Sequence, residues 1–188
     1  MDDKDLKITR KQVVQEIIHL ILYIGIIILL TYLLLHFVGQ RTCVNGSSME
    51  PSLSNGDNLI VDKISYRLHD PERFDIIVFP FRYEEKKYYI KRIIGLPGEK
   101  IRIDDAGYIY INDKVLKESY GLAVMESPGI AQDEITLGKD EYFVLGDNRN
   151  NSTDSRSPEV GVVKRDIIIG RAWLKIYPFH KIGFVKHQ

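Results

Sequence analysis

The chain has 188 residues, enough for one anchor and one compact domain of about 140 to 150 residues with a core of its own. Its 26 Lys and Arg balance 26 Asp and Glu, which excludes the overall basic surplus of a nucleic-acid-binding protein. A single cysteine, Cys43, cannot close an internal disulfide, and no cysteine and histidine spacing suits zinc, so neither staple, metal nor cofactor is expected.

Residues 17–38 read IIHLILYIGIIILLTYLLLHFV, an apolar run of roughly 33 Å as a helix, sufficient to cross a bilayer. A removed secretory signal is the alternative. The run is too long for that, however, and Gly39-Gln40-Arg41-Thr42-Cys43 offers no small-x-small cleavage site, so a retained anchor is favoured. Lys4, Lys7, Arg10 and Lys11 precede the span, whereas Arg41 is the only basic residue just after it. Positive-inside reasoning therefore places segment 1–16 in the cytoplasm and residues 39–188 outside.

Soon after the span comes Val44-Asn45-Gly46-Ser47-Ser48-Met49-Glu50-Pro51, which tethers the Ser48 hydroxyl close to a membrane surface: the chain from Val38 to Ser48 reaches at most about 33 Å. Short segments rich in β-branched and aromatic residues follow, bounded by Gly, Pro, Asn or Asp: Asn58–Ile64, Asp75–Phe79, Lys87–Ile94 and Lys100–Ile103. They read as strands. Asp104-Asp105-Ala106-Gly107 and Asn112-Asp113 predict two tight hairpins joining Lys100–Ile103, Tyr108–Ile111 and Lys114–Leu116. Glu141–Leu145 and Asp166–Tyr177 supply later strands, and no stretch after Val38 keeps a helical period. The fold class is thus mainly β: a single transmembrane helix followed by an antiparallel β domain. Residues 117–138, with Gly121, Pro128 and Gly129, form a loop-rich insertion without a role legible in the pattern.

Lys91 lies in Tyr88-Tyr89-Ile90-Lys91-Arg92-Ile93-Ile94. Apolar and aromatic neighbours would desolvate its amine and ease loss of the proton, so that with Ser48 it can form a nucleophile and base. An exposed strand lysine is the ordinary reading of this segment alone. Strand alternation puts Lys91 on the face of Tyr89 and Ile93, opposite Ile90 and Arg92. Gly146–Arg156 is an almost wholly polar block, GDNRNNSTDSR, between apolar strands, and alone it reads as a solvated hairpin loop. A Ser-His-Asp triad would have to use His69, His180 or His187, none of which stands in a recognisable motif.

Taken together and in this order, Gly46–Leu53, Arg73–Phe79, Tyr89–Lys100 and Gly146–Arg156 resemble the type I signal peptidases of bacteria, membrane-anchored Ser-Lys serine proteases, and the resemblance runs from the anchor to about Trp173. Ser48-Met49-Glu50-Pro51-Ser52-Leu53 is similar to the family's Ser-Met-x-Pro-Thr-Leu. The resemblance implies Ser48 as nucleophile, Lys91 as general base, Ser152 as a residue orienting that lysine, and Asp154 with Arg156 as a supporting pair. It also implies that Val44, Met49, Leu53, Tyr89 and Ile90 line shallow pockets for small side chains. The chain departs from the family at Phe74, where glycine is common, at Asn150, which replaces an aspartate, and at Gly46, where some members place a serine whose hydroxyl helps hold the oxyanion. The implied activity is removal of signal peptides from secreted preproteins after Ala-x-Ala-like sites at the outer face of the cytoplasmic membrane. The expected partners are those preproteins and the lipid bilayer, with no nucleic acid. Two other readings stand beside it: a sibling peptidase dedicated to a narrow client such as a pilin precursor, and a noncatalytic membrane-tethered chaperone for extended chains.

Overall fold

The computed structural model describes residues 10–33 and 39–187, in two compact units, Met1–Val38 and Gly39–Gln188. In the first, α1 (Arg10–Leu33) is a 24-residue helix. Its Gln12–Leu33 stretch is long and apolar enough to span a membrane. Most of the expected cytoplasmic segment, residues 1–9, and the last five positions of the expected span, 34–38, lie outside the described residues.

The second unit is built from antiparallel strands. The larger sheet contains β1 (Gly39–Cys43), β2 (Asn58–Asp62), β3 (Ile76–Pro80), β4 (Tyr88–Gly95), β9 (Glu141–Leu145), β10 (Val163–Lys164), β11 (Gly170–Tyr177) and β12 (Gly183–Phe184), in the order β1-β2-β11-β3-β4-β9-β10, with β12 beside β11. A smaller sheet has the order β7-β6-β5-β8, from β5 (Lys100–Ile103), β6 (Ile109–Ile111), β7 (Lys114–Val115) and β8 (Ile135–Thr136). Helical structure in this unit is limited among the described residues to the four-residue α2 (Ser65–Leu68) and single 3-10 turns. Mainly antiparallel β is therefore the fold class, as the short β-branched and aromatic segments between turn residues implied.

Continuous apolar runs form strands here because the large sheet is covered on both faces. Along β3, Ile76 and Val78 enter a cluster with Val44, Met49, Leu53, Leu59 and Ile90, while Ile77 and Phe79 enter another with Ile93, Tyr142 and Val144. Each such side chain contributes about 1.5 to 3 kcal/mol on burial. A third cluster, with Ile94, Ile101, Ile103, Ile109, Phe143 and Leu145, joins the small sheet to the large one. Both hairpins form as their turns predict. The Asp104 carboxylate accepts the N–H groups of Ala106 and Tyr108, and Asn112 and Asp113 both take positive φ, 49° and 65°, the backbone of a type I′ turn. The last long strand starts at Gly170, later than the expected Asp166, because Arg165–Ile167 winds into a 3-10 turn first.

β4 has two different edges. Tyr88–Arg92 pair with β3, whereas only Arg92–Gly95 pair with β9. Ile93 exchanges hydrogen bonds with the β3 side, through Asp75 O and Phe74 N. By antiparallel alternation Tyr89 and Lys91 bond to β3 as well, which turns the backbone N–H and C=O of Tyr88 and Ile90 toward an edge that no described strand occupies.

Candidate active site

The β4 edge forms one wall of a groove of about 310 Å³. Residues 43–49 and 151–153 form the others, so Ser48, Lys91 and Ser152 face one space. The turn that presents Ser48 is set by Gly46, whose φ of +96° favours glycine. It is also pinned from below: Met49 and Leu53 are buried, the Leu53 N–H donates to Met49 O, and the Asn148 N–H donates to Ser48 O at 3.0 Å.

Lys91 reaches Ser48 across the groove, with Nζ 2.8 Å from Oγ and 3.0 Å from Ile90 O. The lysine is only 4% exposed and its Nζ lies 5.0 Å from the centre of the Tyr89 ring. Burial lowers its pKa from 10.5 to about 8, against an upward pull from the Asp154 and Asp147 carboxylates. No carboxylate touches the amine itself among the described residues, so desolvation prevails.

The polar block is not a solvated loop. The Asp154 carboxylate accepts the Gly146 N–H at 3.0 Å and two guanidinium bonds from Arg156 at 2.9 Å, and both residues are buried. Ser155 bonds both ways with Val144. Gly146 packs so closely that a Cβ there would lie 2.5 Å from Ser48 O and against the Ser152 side chain. Thus the loop that carries Ser152 and the turn that carries Ser48 meet with no room for one methyl group.

Of the expected substrate-side residues, Val44, Met49, Tyr89 and Ile90 line the groove. Leu53, 1% exposed, sits in the core beneath it and is not among the lining residues. Ser152 lines the groove, and its buried Oγ has no hydrogen-bond partner among the described residues. Asp154 and Arg156 stand behind it as a buried pair.

Sequence reasoning missed a second buried network on the opposite face of β4. Arg92, 1% exposed, forms a two-pronged ion pair with Asp147 at 2.8 and 2.7 Å, donates to the carbonyls of Phe74 and His187, and stacks 3.7 Å over the Tyr120 ring. The Ser52 hydroxyl donates to Asp147 at 2.5 Å. This network ties β4, the Ser48 turn and the polar block together. A cation alternating with Lys91 in a strand otherwise apolar on both faces, and an acid opening the polar block, were the available signals. Insertion 117–138 gains a role here: Glu118 forks onto Arg149 at 2.7 and 2.9 Å, Leu122 N–H donates to Asp147 O, and Asn150 bonds Val124 O and Glu126 N. It straps the polar block from outside. Phe74 takes a φ of 73°, which favours glycine, yet its ring is buried against Tyr120, with centroids 5.2 Å apart. His187, the histidine nearest a carboxylate, accepts the Ile76 N–H on Nδ1 at 3.0 Å and stands 3.5 Å from Asp75, with no serine in its bonding set.

Residues 17–177 match the family model described as signal peptidase, peptidase S26. The chain belongs to the signal peptidase family. A probable signal peptidase I-2 of Synechocystis sp. is 42% identical over 154 residues, covering 79% of this chain and 68% of the relative. Signal peptidase I T of Bacillus subtilis is 35% identical over 170 residues, covering 87% and 86%. Among solved structures, a signal peptidase I of Enterococcus faecalis matches with 35% identity and a TM-score of 0.44 over 55% of this chain and 97% of its own. Membership of the signal peptidase family makes this chain a peptidase, and its apolar α1 has the length of a single membrane span.

Proposed function

We propose that this peptidase removes the signal peptides of exported preproteins after small-x-small sites, with Ser48 as nucleophile and Lys91 as general base. The observation that carries the reading is a buried amine of lowered pKa, 2.8 Å from the Ser48 hydroxyl, in an open groove. An ordinary lysine would be about 0.1% neutral near pH 7.5, whereas a pKa of about 8 leaves roughly a quarter neutral. Neutral Lys91 accepts the Ser48 proton as Oγ attacks the scissile carbonyl. It returns that proton to the leaving amine, and the signal peptide is left as an ester on Ser48. Water, deprotonated by the same amine, then hydrolyses the ester. Gly46 brings no hydroxyl to the developing oxyanion, which leaves the Ser48 backbone N–H as its donor in this turn.

The N–H and C=O of Tyr88 and the N–H of Ile90, on the edge that no described strand occupies, suit an extended substrate added as a strand, with Val44, Met49 and Ile90 beside its small side chains. Ser152, Asp154 and Arg156 act as supports, Asp154 and Arg156 by holding the loop at Gly146 and Ser152 by lying beside the reacting pair. The N-terminus lies in the cytoplasm and the β unit outside, on the charge asymmetry around α1.

The test is purified full-length protein in vesicles with a preprotein carrying Ala-x-Ala, read by the mass of the new N-terminus. Cleavage after the second alanine by the wild type, and none by Ser48→Ala or Lys91→Met, is the expected result. Undiminished cleavage by either variant would sink the pair, whereas no cleavage by the wild type would favour a noncatalytic binder of extended chains.

A further inference from the structure

Ser152 has a second environment. Besides the groove it lines a separate recess of about 220 Å³ between the polar block and the strap. Exposed Glu126, Ser127 and Asn150 stand at its mouth, and buried Arg149 and Arg156 form its floor. The two guanidinium groups are already committed, Arg149 to the Glu118 carboxylate and Gly146 O, Arg156 to Asp154 and the Ser127 carbonyl. They are not free to grip an anion. A polar recess of this size, walled by groups able to donate and accept, holds several waters. Ser152 is the residue the recess shares with the groove, and its hydroxyl is buried, without a partner among the described residues, and packed beside Gly146 and the Ser48 carbonyl.

Two separate openings matter in the second half of the reaction proposed above, on which this inference rests. While the acyl-enzyme lasts, the signal peptide lies along Tyr88–Lys91 and fills the groove, so the front approach to the ester is covered. Hydrolysis still needs a water within reach of the Lys91 amine. We infer that the recess admits that water, and that Ser152 Oγ hands it from the recess to the Ser48 ester. The water oxygen attacks the ester carbonyl as Lys91 takes its proton. The carbonyl carbon to Oγ bond then breaks, Ser48 Oγ recovers the proton, and the signal peptide leaves as a carboxylic acid. Ser152 in this role positions a reactant and forms no covalent bond.

Ser127 and Ser157 line the recess but not the groove, so filling it from either position separates this step from the first. With a preprotein in excess, Ser127→Leu and Ser157→Leu are each expected to release mature protein in the first turnover within about twofold of wild type. Steady-state turnover should fall about tenfold, and a signal-peptide ester on Ser48 should accumulate as a mass adduct of the intact enzyme. Ser127→Ala, which removes the hydroxyl without filling the space, should behave as wild type. The inference is overturned if the leucine variant that retains wild-type first-turnover release turns over normally, or slows without an adduct. It is equally overturned if both leucine variants lose the first turnover along with the rest. Absence of cleavage by the wild-type enzyme would instead strike at the peptidase reading itself.

Discussion

If Lys91 is the base proposed above, its pKa of about 8 makes the rate a titration curve of one amine. The neutral form would be the working one, so cleavage should rise about tenfold per pH unit below roughly pH 8 and level above it, measured as initial rates on a soluble precursor. The same group carries a stability cost of opposite pH sense. Its folded pKa is depressed below its unfolded value, so below pH 8 the folded state holds a desolvated charge that the unfolded chain keeps hydrated. Between about pH 8 and 10.5 the unfolded chain binds more protons, and stability rises with pH. Lys91→Met should therefore be inactive yet more stable than wild type at pH 7, by up to about 3 kcal/mol in urea denaturation, with the gap closing toward pH 10.5. Ser48 and Lys91 were legible in the sequence because each sits in a distinctive frame of neighbours. Arg92 was not: an arginine next to a catalytic-looking lysine reads as a surface charge until the strand is known to be buried on both faces.

Between elements, the joint that bears on the site is Gly146 against the Ser48 turn. A methyl group there meets the Ser48 carbonyl at 2.5 Å, and neither backbone can yield cheaply. Gly146→Ala should lower cleavage by about a hundredfold through misplacement of Ser48, and destabilise the unit by about 1 to 3 kcal/mol, both measurable on the purified protein. The Arg92–Asp147 pair gives a second test. Removing one member leaves the other charged and unpaired in the core, so Arg92→Met should cost about 3 to 5 kcal/mol, whereas Arg92→Met with Asp147→Leu should recover much of it. Strands β3 and β4 were readable because apolar content and turn residues bound them sharply. β1, with the sequence GQRTC, shows no apolar alternation, since pairing with β2 along an edge asks little of its side chains. β8, β10 and β12 span two residues each, too short to hold any period. Strap 117–138 was silent for another reason: its bonds run to residues about 25 to 30 positions away and, the Glu118–Arg149 ion pair aside, use strap carbonyls and amides that every residue type shares.

For the molecule as a whole, the one thiol reports topology. Cys43 is exposed and falls just beyond the apolar span. A thiol reagent that cannot cross membranes should label it on intact cells stripped of any outer wall, and labelling only after lysis would reverse the proposed orientation. Composition bounded the molecule at this scale, and the long apolar run declared itself by length alone. The groove did not, because it arises where β4 outruns β9 and pattern gives no strand partners.

That mismatch in length has a further meaning for substrate choice. In the proposed docking, the edge peptide groups at Tyr88 and Ile90 would recognise what all polypeptides possess, so docking would draw on the guest's main chain and little on its letters. Selectivity is then left to the few places where a large side chain would strike Val44, Met49 or Ile90. An enzyme made this way can serve a crowd of precursors with almost no vocabulary in common, and would turn away a guest chiefly for being too big at one spot or too rigid to lie flat.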